Sequence, residues 1–182
     1  MDPARVARGA NIPYEINVII EIPAHAEPVK YEMDKATGAM FVRRFMSTPM
    51  RYPCNYGYLP HTLSADGDPL DVLAVTPYPV ISGAVLPARP IGLLKMTDES
   101  GDDAKILALP AVALFTGYRH IASYTDMPAH LLAQIAHFFE HYKDLDEGKW
   151  ARVEGWAGPE AAHAEILAAI RWFDEAPEKP LF

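Results

Sequence analysis

The sequence predicts a single α+β domain in which a small antiparallel sheet or barrel is followed by two main flanking helices. Three observations lead to this prediction. Short apolar runs separated by Gly, Pro, Asn and Asp fill the first part of the chain, which is typical of strands and turns. Towards the C-terminus the apolar residues recur every three or four positions, which is typical of helices. With 182 residues, the chain can form one full core but is short for two.

The first predicted strand follows an irregular lead-in at residues 1–13. Ile16–Ile22 is apolar and β-branched, as in a buried strand. Glu21 interrupts this run, and a carboxylate in such a position needs a partner or a metal ion. The next two strands, Val29–Met33 and Ala39–Phe45, are predicted to form a hairpin.

The middle of the chain is interrupted by turn-forming residues. Arg51–Leu59 is too rich in Tyr, Pro, Asn and Gly for a helix and is expected to be an ordered loop or a short strand. Leu70–Val75 is a predicted strand. Three prolines between positions 77 and 87 predict a loop and an edge strand. A second hairpin is expected from Arg89–Met96 and Ala104–Leu109, joined by a strongly acidic loop.

Two helices complete the predicted domain. The first is expected to begin near Asp126–Pro128, because proline suits the start of a helix. Its apolar positions recur at helical spacing: Leu131, Ile135, Phe138 and Tyr142. The second helix is predicted from Pro159 to about Phe173. Residues 175–182 are expected to form a loose tail.

Composition excludes several classes of function. A formal net charge of −8 argues against a nucleic-acid-binding surface, which is normally basic. The single cysteine, Cys54, excludes an internal disulfide and is expected to be a packed small residue. No signal peptide and no apolar run of membrane-spanning length is visible. We therefore expect a cytoplasmic protein without a membrane or nucleic-acid partner.

One acidic stretch organises the functional prediction. Asp66, Asp68 and Asp71 place three carboxylates within six residues, next to the strand Leu70–Val75. Gly67 favours a tight turn because it has no Cβ. Crowded carboxylates repel one another, and a hard divalent cation with oxygen ligands is a natural counter-charge. The ordinary alternative, a solvated turn, is about equally compatible with this motif alone.

The strand region also carries two groups of opposite charge. Carboxylates alone would repel an anionic ligand, whereas basic side chains alone could bind it without a metal ion. A site that contains both kinds of group suits a polyanion bound through bridging Mg²⁺ or a similar hard ion. The candidate carboxylates are Glu21, Glu32, Asp66, Asp68, Asp71, Asp98, Asp103 and Glu99. The candidate donors are Lys30, Arg44, Tyr52, Tyr56, Lys105, Tyr142 and Lys143.

Several blocks of this sequence form a pattern that goes beyond single residues. They are Glu21–Pro23, Lys30–Glu32, Arg44–Met46, Tyr52–Tyr58, Asp66–Val72, Lys95–Glu99, Gly101–Lys105, His137–Leu145 and Lys149–Trp156. These blocks closely resemble soluble family I inorganic pyrophosphatases of the bacterial type. The resemblance covers most of the chain, from about Pro13 to Ile170.

This resemblance implies a fold, an activity and an assembly. The fold would be a five-stranded barrel of the oligonucleotide-binding (OB) type with helices packed outside. The activity would be Mg²⁺-dependent hydrolysis of inorganic pyrophosphate to two orthophosphates, by in-line attack of a hydroxide that bridges two metal ions. The assembly would be a homohexamer.

The resemblance also implies roles for individual residues. Asp66, Asp71 and Asp103 would bind the tightest metal ion, and Asp98 would join Asp103 at a further one. Glu21 and Glu32 would hold metal ions through water. The implied catalytic group is Asp68, which would accept the proton of the attacking water, with Tyr56, Arg44 and Lys30. The groups implied to grip phosphate oxygens are Lys30, Arg44, Tyr56, Lys105, Tyr142 and Lys143.

Other interpretations stay open at this point. Lys143 could complement a helix dipole, Tyr56 could be a core aromatic residue, and Lys30 could belong to a solvated hairpin face. His137–His141 fits the zinc motif H-x-x-E-H, although little chain follows it. A non-catalytic barrel that binds nucleotides or single-stranded nucleic acid is a further alternative, but such a surface is normally basic.

Three positions depart from the commonest bacterial pattern. His25 and Glu27 occupy positions at which Asn and Asp are frequent, and some members bind an accessory metal ion between subunits there. That accessory site is therefore in doubt for this chain. Arg43 adds a positive charge where an acidic residue is common, which could alter substrate affinity.

Overall fold

The computed structural model describes residues 2–178 and Pro180, and most of its elements follow the predicted order. The strands are β1 Ile16–Ile22, β2 Val29–Asp34, β3 Ala39–Phe45, β4 Asn55–Tyr58, β5 Asp71–Ala74, β6 Val85–Asp98, β7 Gly101–Asp102, β8 Lys105–Pro110 and β9 Ala151–Ala157. The helices are α1 Ala129–His141 and α2 Pro159–Glu175. The α+β class is therefore confirmed. Residues 179, 181 and 182 of the predicted tail, and residue 1 of the lead-in, lie outside the described residues.

Five strands of the main sheet are joined in a closed ring of hydrogen-bonded pairs. The order around the ring is β1, β4, β5, β8 and β6, and β6 pairs again with β1. Residues Ile16 and Ala88 face each other where the ring closes. The hairpin of β2 and β3 forms a separate two-stranded sheet, as predicted, with Lys30 opposite Arg44.

The prediction of a wholly antiparallel sheet is wrong at one pair of strands. β5 and β8 run parallel, with Val72 opposite Ile106. The reason is geometric, because strand directions cannot alternate all the way around a ring with an odd number of members. A closed ring of five strands must therefore contain at least one parallel pair.

Three further details differ from the sequence-based expectation. β9 was not predicted, and it pairs with the outer side of β6. β6 begins at Val85, so Pro87 lies inside a strand where a loop and an edge strand were expected. The hydrogen-bonded ladder between β6 and β8 is irregular between Pro90 and Gly92. Proline has no N–H to donate to such a ladder, and an irregularity of this kind is where it is tolerated. The predicted acidic loop contains the short strand β7.

Each helix packs on its own part of the core. α2 contributes Ala162, Ile166 and Ala169 to a cluster built on apolar residues of the ring strands, among them Ile20. α1 contributes Ile135, Phe138 and Phe139 to a second cluster. This cluster also includes Tyr52, which precedes β4, and Tyr56, which lies in β4. The second cluster thus joins α1 directly to the strands that carry the candidate site.

Candidate active site

A cleft of about 620 Å³ brings together nearly all the residues that the sequence predicts for the site. The β2–β3 hairpin, β4, the acidic turn, β5, β6, β8 and the end of α1 each contribute to it. The predicted residues that line it are Lys30, Glu32, Arg44, Tyr56, Asp66, Asp68, Asp71, Asp98, Asp103, Lys105, Tyr142 and Lys143. Glu21 is the exception, and it lines a small adjoining cavity of about 40 Å³.

The acidic turn before β5 is held by its own backbone. Gly67 has a φ of +89°, which suits glycine, and its N–H donates to the Ser64 carbonyl at 3.1 Å. Asp68 N–H donates to Asp66 Oδ1 at 3.0 Å, and the Asp68 carbonyl accepts from Ser64 N–H at 2.8 Å. The Asp68 carboxylate is left exposed at the mouth of the cleft. Partial desolvation and the neighbouring Asp66 raise the pKa of Asp68.

Lys105 lies between two of the predicted metal ligands. Its Nζ donates to Asp71 Oδ2 at 2.6 Å and to Asp103 Oδ1 at 2.8 Å, and only 2% of its side chain is exposed. Burial alone would lower the pKa of Lys105, but Asp71 and Asp103 together raise it well above its ordinary value. The ammonium group therefore stays charged and acts as their counter-charge.

An aromatic wall encloses this ammonium group. Lys105 Nζ lies 5.5 Å from the ring centroids of both Tyr56 and Phe139, within the range of a cation–π interaction. Burial, and then the nearby Asp71, raise the pKa of Tyr56 well above its ordinary value, and the Tyr56 hydroxyl bonds to Asp71. Gly57 lets β4 approach β1 closely, because a Cβ there would collide with the Ile19 carbonyl. Tyr56 is thus a neutral donor held beside the carboxylates.

Lys143 and Arg44 are also held by acidic residues. Lys143 Nζ donates to Asp98 Oδ2 at 2.7 Å and to both Glu99 oxygens at 3.1 Å. Arg44 Nη1 donates to Asp146 Oδ2 at 2.7 Å, and Ser47 Oγ donates to Asp146 Oδ1 at 2.6 Å. Desolvation opposes ionisation of Asp98, but its hydrogen bonds to Lys143 and Ser100 N–H leave its pKa lowered.

Glu21 is almost fully buried beside the cleft. Its Oε1 accepts a hydrogen bond of 2.8 Å from Met33 N–H. Burial raises the pKa of Glu21 to about 7, with smaller opposing contributions from Met33 and Lys35. The small cavity that Glu21 lines shares Lys30, Glu32, Tyr56, Asp68 and Asp71 with the main cleft. Glu21 thus lies directly behind the wall that the sequence predicts to hold metal ions.

The donor set of the cleft suits a hard divalent cation. Its carboxylate and hydroxyl groups offer oxygen ligands, and neither histidine nor cysteine is among the residues that line it. Among residues 2–178 and Pro180, no three His, Cys, Asp or Glu side chains already converge as a metal site. Lys105 and Lys143 instead each pair with two of the carboxylates and offset half of their charge. The residues therefore fit a metal ion that would share these carboxylates with the lysines.

Sequence reasoning missed some residues of the cleft and its supports. Asp146 holds Arg44 across 102 positions of chain, and no local pattern signals such a partner. Lys149 lines the cleft as well, and so does Arg43, whose effect on substrate affinity the sequence had suggested. The zinc alternative gains no support, since Glu140 of that motif accepts a 2.6 Å hydrogen bond from Val153 N–H.

The comparison with known sequences decides the family. The sequence model of the inorganic pyrophosphatase family matches residues 18–174. The chain belongs to the inorganic pyrophosphatase family. The resemblance found in the sequence is thereby confirmed, and the chain is an enzyme, an inorganic diphosphatase that hydrolyses pyrophosphate.

Individual relatives match over almost the full length. The chain is 58% identical over 179 residues to the inorganic pyrophosphatase of Escherichia coli strain K12, covering 98% of this chain and 100% of that protein. It is 55% identical over 175 residues to that of Pseudomonas aeruginosa, covering 96% and 100%. An inorganic pyrophosphatase structure from Coxiella burnetii matches with a TM-score of 0.89 and 52% identity, over 92% of this chain and 99% of that one.

In the part of the chain that the structure describes, neither α1 nor α2 combines the length and the apolar character needed to cross a bilayer.

Proposed function

We propose that this chain hydrolyses inorganic pyrophosphate by a Mg²⁺-dependent, in-line attack of water. The observation that carries the proposal is the meeting of seven cleft carboxylates with Lys30, Arg44, Lys105 and Lys143 in one cavity. A diphosphate is a compact polyanion, so it needs cationic donors, and the carboxylates can be offset by metal ions. Family membership supports the same chemistry.

The carboxylates divide into those that would hold Mg²⁺ and one that would take a proton. When bound, Mg²⁺ supplies positive charge to the phosphate oxygens and makes an attacking water easier to deprotonate. Asp68 would accept that proton, because its carboxylate is exposed and has a raised pKa. The residues proposed to hold Mg²⁺, directly or through water, are Asp66, Asp71, Asp98, Asp103, Glu21 and Glu32.

The donors of the cleft would bind and stabilise the phosphate groups. Arg44 is held in place by Asp146, so its guanidinium is preorganised for an anion. Tyr56 keeps its proton and can donate to a phosphate oxygen. Developing negative charge on the leaving phosphate would be met by the donors Lys30, Arg44, Tyr56, Lys105, Tyr142 and Lys143.

We infer that the closed ring of five strands is a barrel of the OB type, and that residues 1–182 form one pyrophosphatase domain. The first inference is supported by the pairing of β6 with both β8 and β1.

We also infer a cytoplasmic homohexamer. Exposed apolar side chains, including Tyr78 at 78% and Ile81 at 77% exposure, support an assembly of subunits. Analytical ultracentrifugation tests it, and a monomer at micromolar concentration would contradict it.

Phosphate release from pyrophosphate tests the central proposal. Activity is expected with Mg²⁺, and it should vanish on addition of EDTA and return when Mg²⁺ is added in excess. Full activity in EDTA would refute the Mg²⁺ requirement. Nucleotide or single-stranded DNA binding without any phosphate release would instead favour the non-catalytic barrel.

A further inference from the structure

A lysine at the tip of the β2–β3 hairpin turns back towards the protein. Lys35 follows β2 in a turn that Asp34 organises, since its Oδ2 accepts from Thr37 N–H at 3.1 Å and its carbonyl accepts from Gly38 N–H at 2.7 Å. Only 18% of the Lys35 side chain is exposed. Lysine normally keeps its ammonium group in water and loses rotamer freedom when it is ordered. Its inward position therefore calls for a specific partner.

Lys35 points to the carboxylate behind the cleft. Its Nζ lies 4.0 Å from Glu21 Oε1 and 5.0 Å from the centroid of the Tyr58 ring. All three side chains line the small cavity, together with Asp68. The Tyr58 hydroxyl is buried, and no hydrogen-bond partner is found for it among the described residues. A polar cavity of about 40 Å³ is large enough to hold an ordered water beside it.

We propose that Lys35 is a positioning residue for pyrophosphate hydrolysis. Its ammonium group pairs with the Glu21 carboxylate and directs it to the cleft, and the same pair fixes the hairpin that carries four cleft residues. This inference rests on the proposed function, in which Glu21 holds Mg²⁺ through water. Nothing in the sequence pattern pointed to Lys35, because its partner lies on another strand.

The location of Lys35 distinguishes it from the buried Lys105. Lys105 lines the main cleft and occupies carboxylates that a metal ion would use. Lys35 lines the small cavity and the outer face of the hairpin, so it can stay beside Glu21 when the cleft is filled. A buried carboxylate without a counter-charge is costly, and Glu21 is only 6% exposed. Lys35 supplies that charge from the side away from the substrate.

Four variants test the proposal: Lys35→Met, Lys35→Arg, Glu21→Gln and the double variant. Lys35→Met keeps an apolar stem of similar length but removes the charge. We expect it to raise the half-saturating Mg²⁺ concentration and to lower kcat, each by about tenfold, as for other groups that orient metal ligands. The KM for pyrophosphate should change by less than about threefold, because Lys35 does not line the main cleft. Lys35→Arg should restore most of both losses.

A second measurement does not depend on turnover. The shift in Tm that Mg²⁺ alone produces should shrink in Lys35→Met and return in Lys35→Arg. As a matched control, Arg119→Met removes an exposed positive charge that lies outside the main cleft and outside both cavities that Lys35 lines, and it should leave the Mg²⁺ dependence unchanged. A Lys35→Met protein with a lower Tm but normal Mg²⁺ dependence would show that Lys35 only stabilises the turn, which overturns the proposal.

The double variant shows whether Lys35 acts through Glu21. If it does, adding Lys35→Met to Glu21→Gln should change kcat and Mg²⁺ dependence by less than about twofold, whereas independent roles would multiply the two losses. An impaired Glu21→Gln beside a normal Lys35→Met would refute the positioning role and leave the proposed function intact. A normal Glu21→Gln would refute the metal-holding role of Glu21 and, with it, this proposal.

Discussion

Lys105 Nζ donates a hydrogen bond of 2.6 Å to Asp71 Oδ2. The same ammonium group bonds to Asp103, so one positive charge is shared by two proposed metal ligands that are largely buried. In the absence of a metal ion, this lysine keeps the two carboxylates from repelling each other. Lys105 thus offsets half of the negative charge of this pair before any cation enters, and binding of a cation must redistribute these contacts.

The first prediction concerns the variant Lys105→Met. It leaves Asp71 and Asp103 without a counter-charge, which should lower the free energy of unfolding by about 3–5 kcal/mol, the cost typical of a broken buried pair. Added Mg²⁺ should recover part of this loss, because it can replace the missing charge. Urea unfolding in EDTA and in Mg²⁺ measures both effects. Equal destabilisation under the two conditions would contradict the assignment of Asp71 and Asp103 as metal ligands.

The second prediction concerns the proton acceptor. Asp68→Asn should lower kcat by about 10²–10⁴-fold, the usual contribution of a general base, because the amide cannot take the proton. The Tm should stay near that of the unchanged protein, since the Asp68 hydrogen bonds come from its backbone. Steady-state kinetics and thermal unfolding measure these quantities. Glu175→Gln, at the exposed end of α2, is the control, and normal turnover in Asp68→Asn would refute the role.

The third prediction concerns the residue that holds Arg44. Asp146→Asn removes the charge that fixes the guanidinium, and it should raise the KM for pyrophosphate by about tenfold, as expected for a lost charge-assisted hydrogen bond. Ser47→Ala removes the other hydrogen bond of Asp146 and leaves its contact with Arg44, so it should have a smaller effect. Equal effects of the two variants would show that Arg44 does not depend on Asp146.

The fourth prediction concerns pH. The pKa of Glu21 is about 7 in the folded protein, against an ordinary value of 4.5, so the folded state binds this proton more tightly than the unfolded state. Stability from this group is therefore present below pH 4.5 and is lost as the pH rises to about 7. Glu21→Gln should become more stable relative to the unchanged protein by up to about 3 kcal/mol over this range. Urea unfolding in EDTA at pH 5 and pH 8 measures it, and a pH-independent difference would contradict it.

The fifth prediction concerns Cys54. The side chain is buried, and burial raises the pKa of its thiol to about 12. The native protein should therefore react with iodoacetamide at pH 8 far more slowly than the protein unfolded in urea, because little thiolate forms and access is blocked. Mass spectrometry of the alkylated protein gives both rates. Rapid modification of the folded protein would contradict the packing role.

The sequence predicted the order of the elements well because each carries a local signal. β-branched runs mark β1, and helical spacing marks α1 and α2. β9 lacked such a signal, since its alternation is broken by Gly155 and both of its faces are partly exposed. The parallel pairing of β5 and β8 was missed because it follows from closure of the ring, which is a property of the whole chain.

Convergence of the site could not be derived from the residues alone. Asp68 and Asp71 are neighbours in sequence, but Lys143 meets Asp98 across 45 positions. The expectation that these residues meet in one site came from the resemblance to a family. It therefore extended only to residues that belong to the family pattern. Asp146 and Lys35 act through other side chains, so neither the motif nor the periodicity indicated them.

The closure of the strand ring has a consequence beyond catalysis. Every strand of the ring has a hydrogen-bonded partner on each side, so its backbone offers no open ladder to another chain. Such ladders are the usual templates for strand addition and amyloid growth. The five apolar strands of the ring therefore have no open edge from which aggregates could grow, even at cellular protein concentrations.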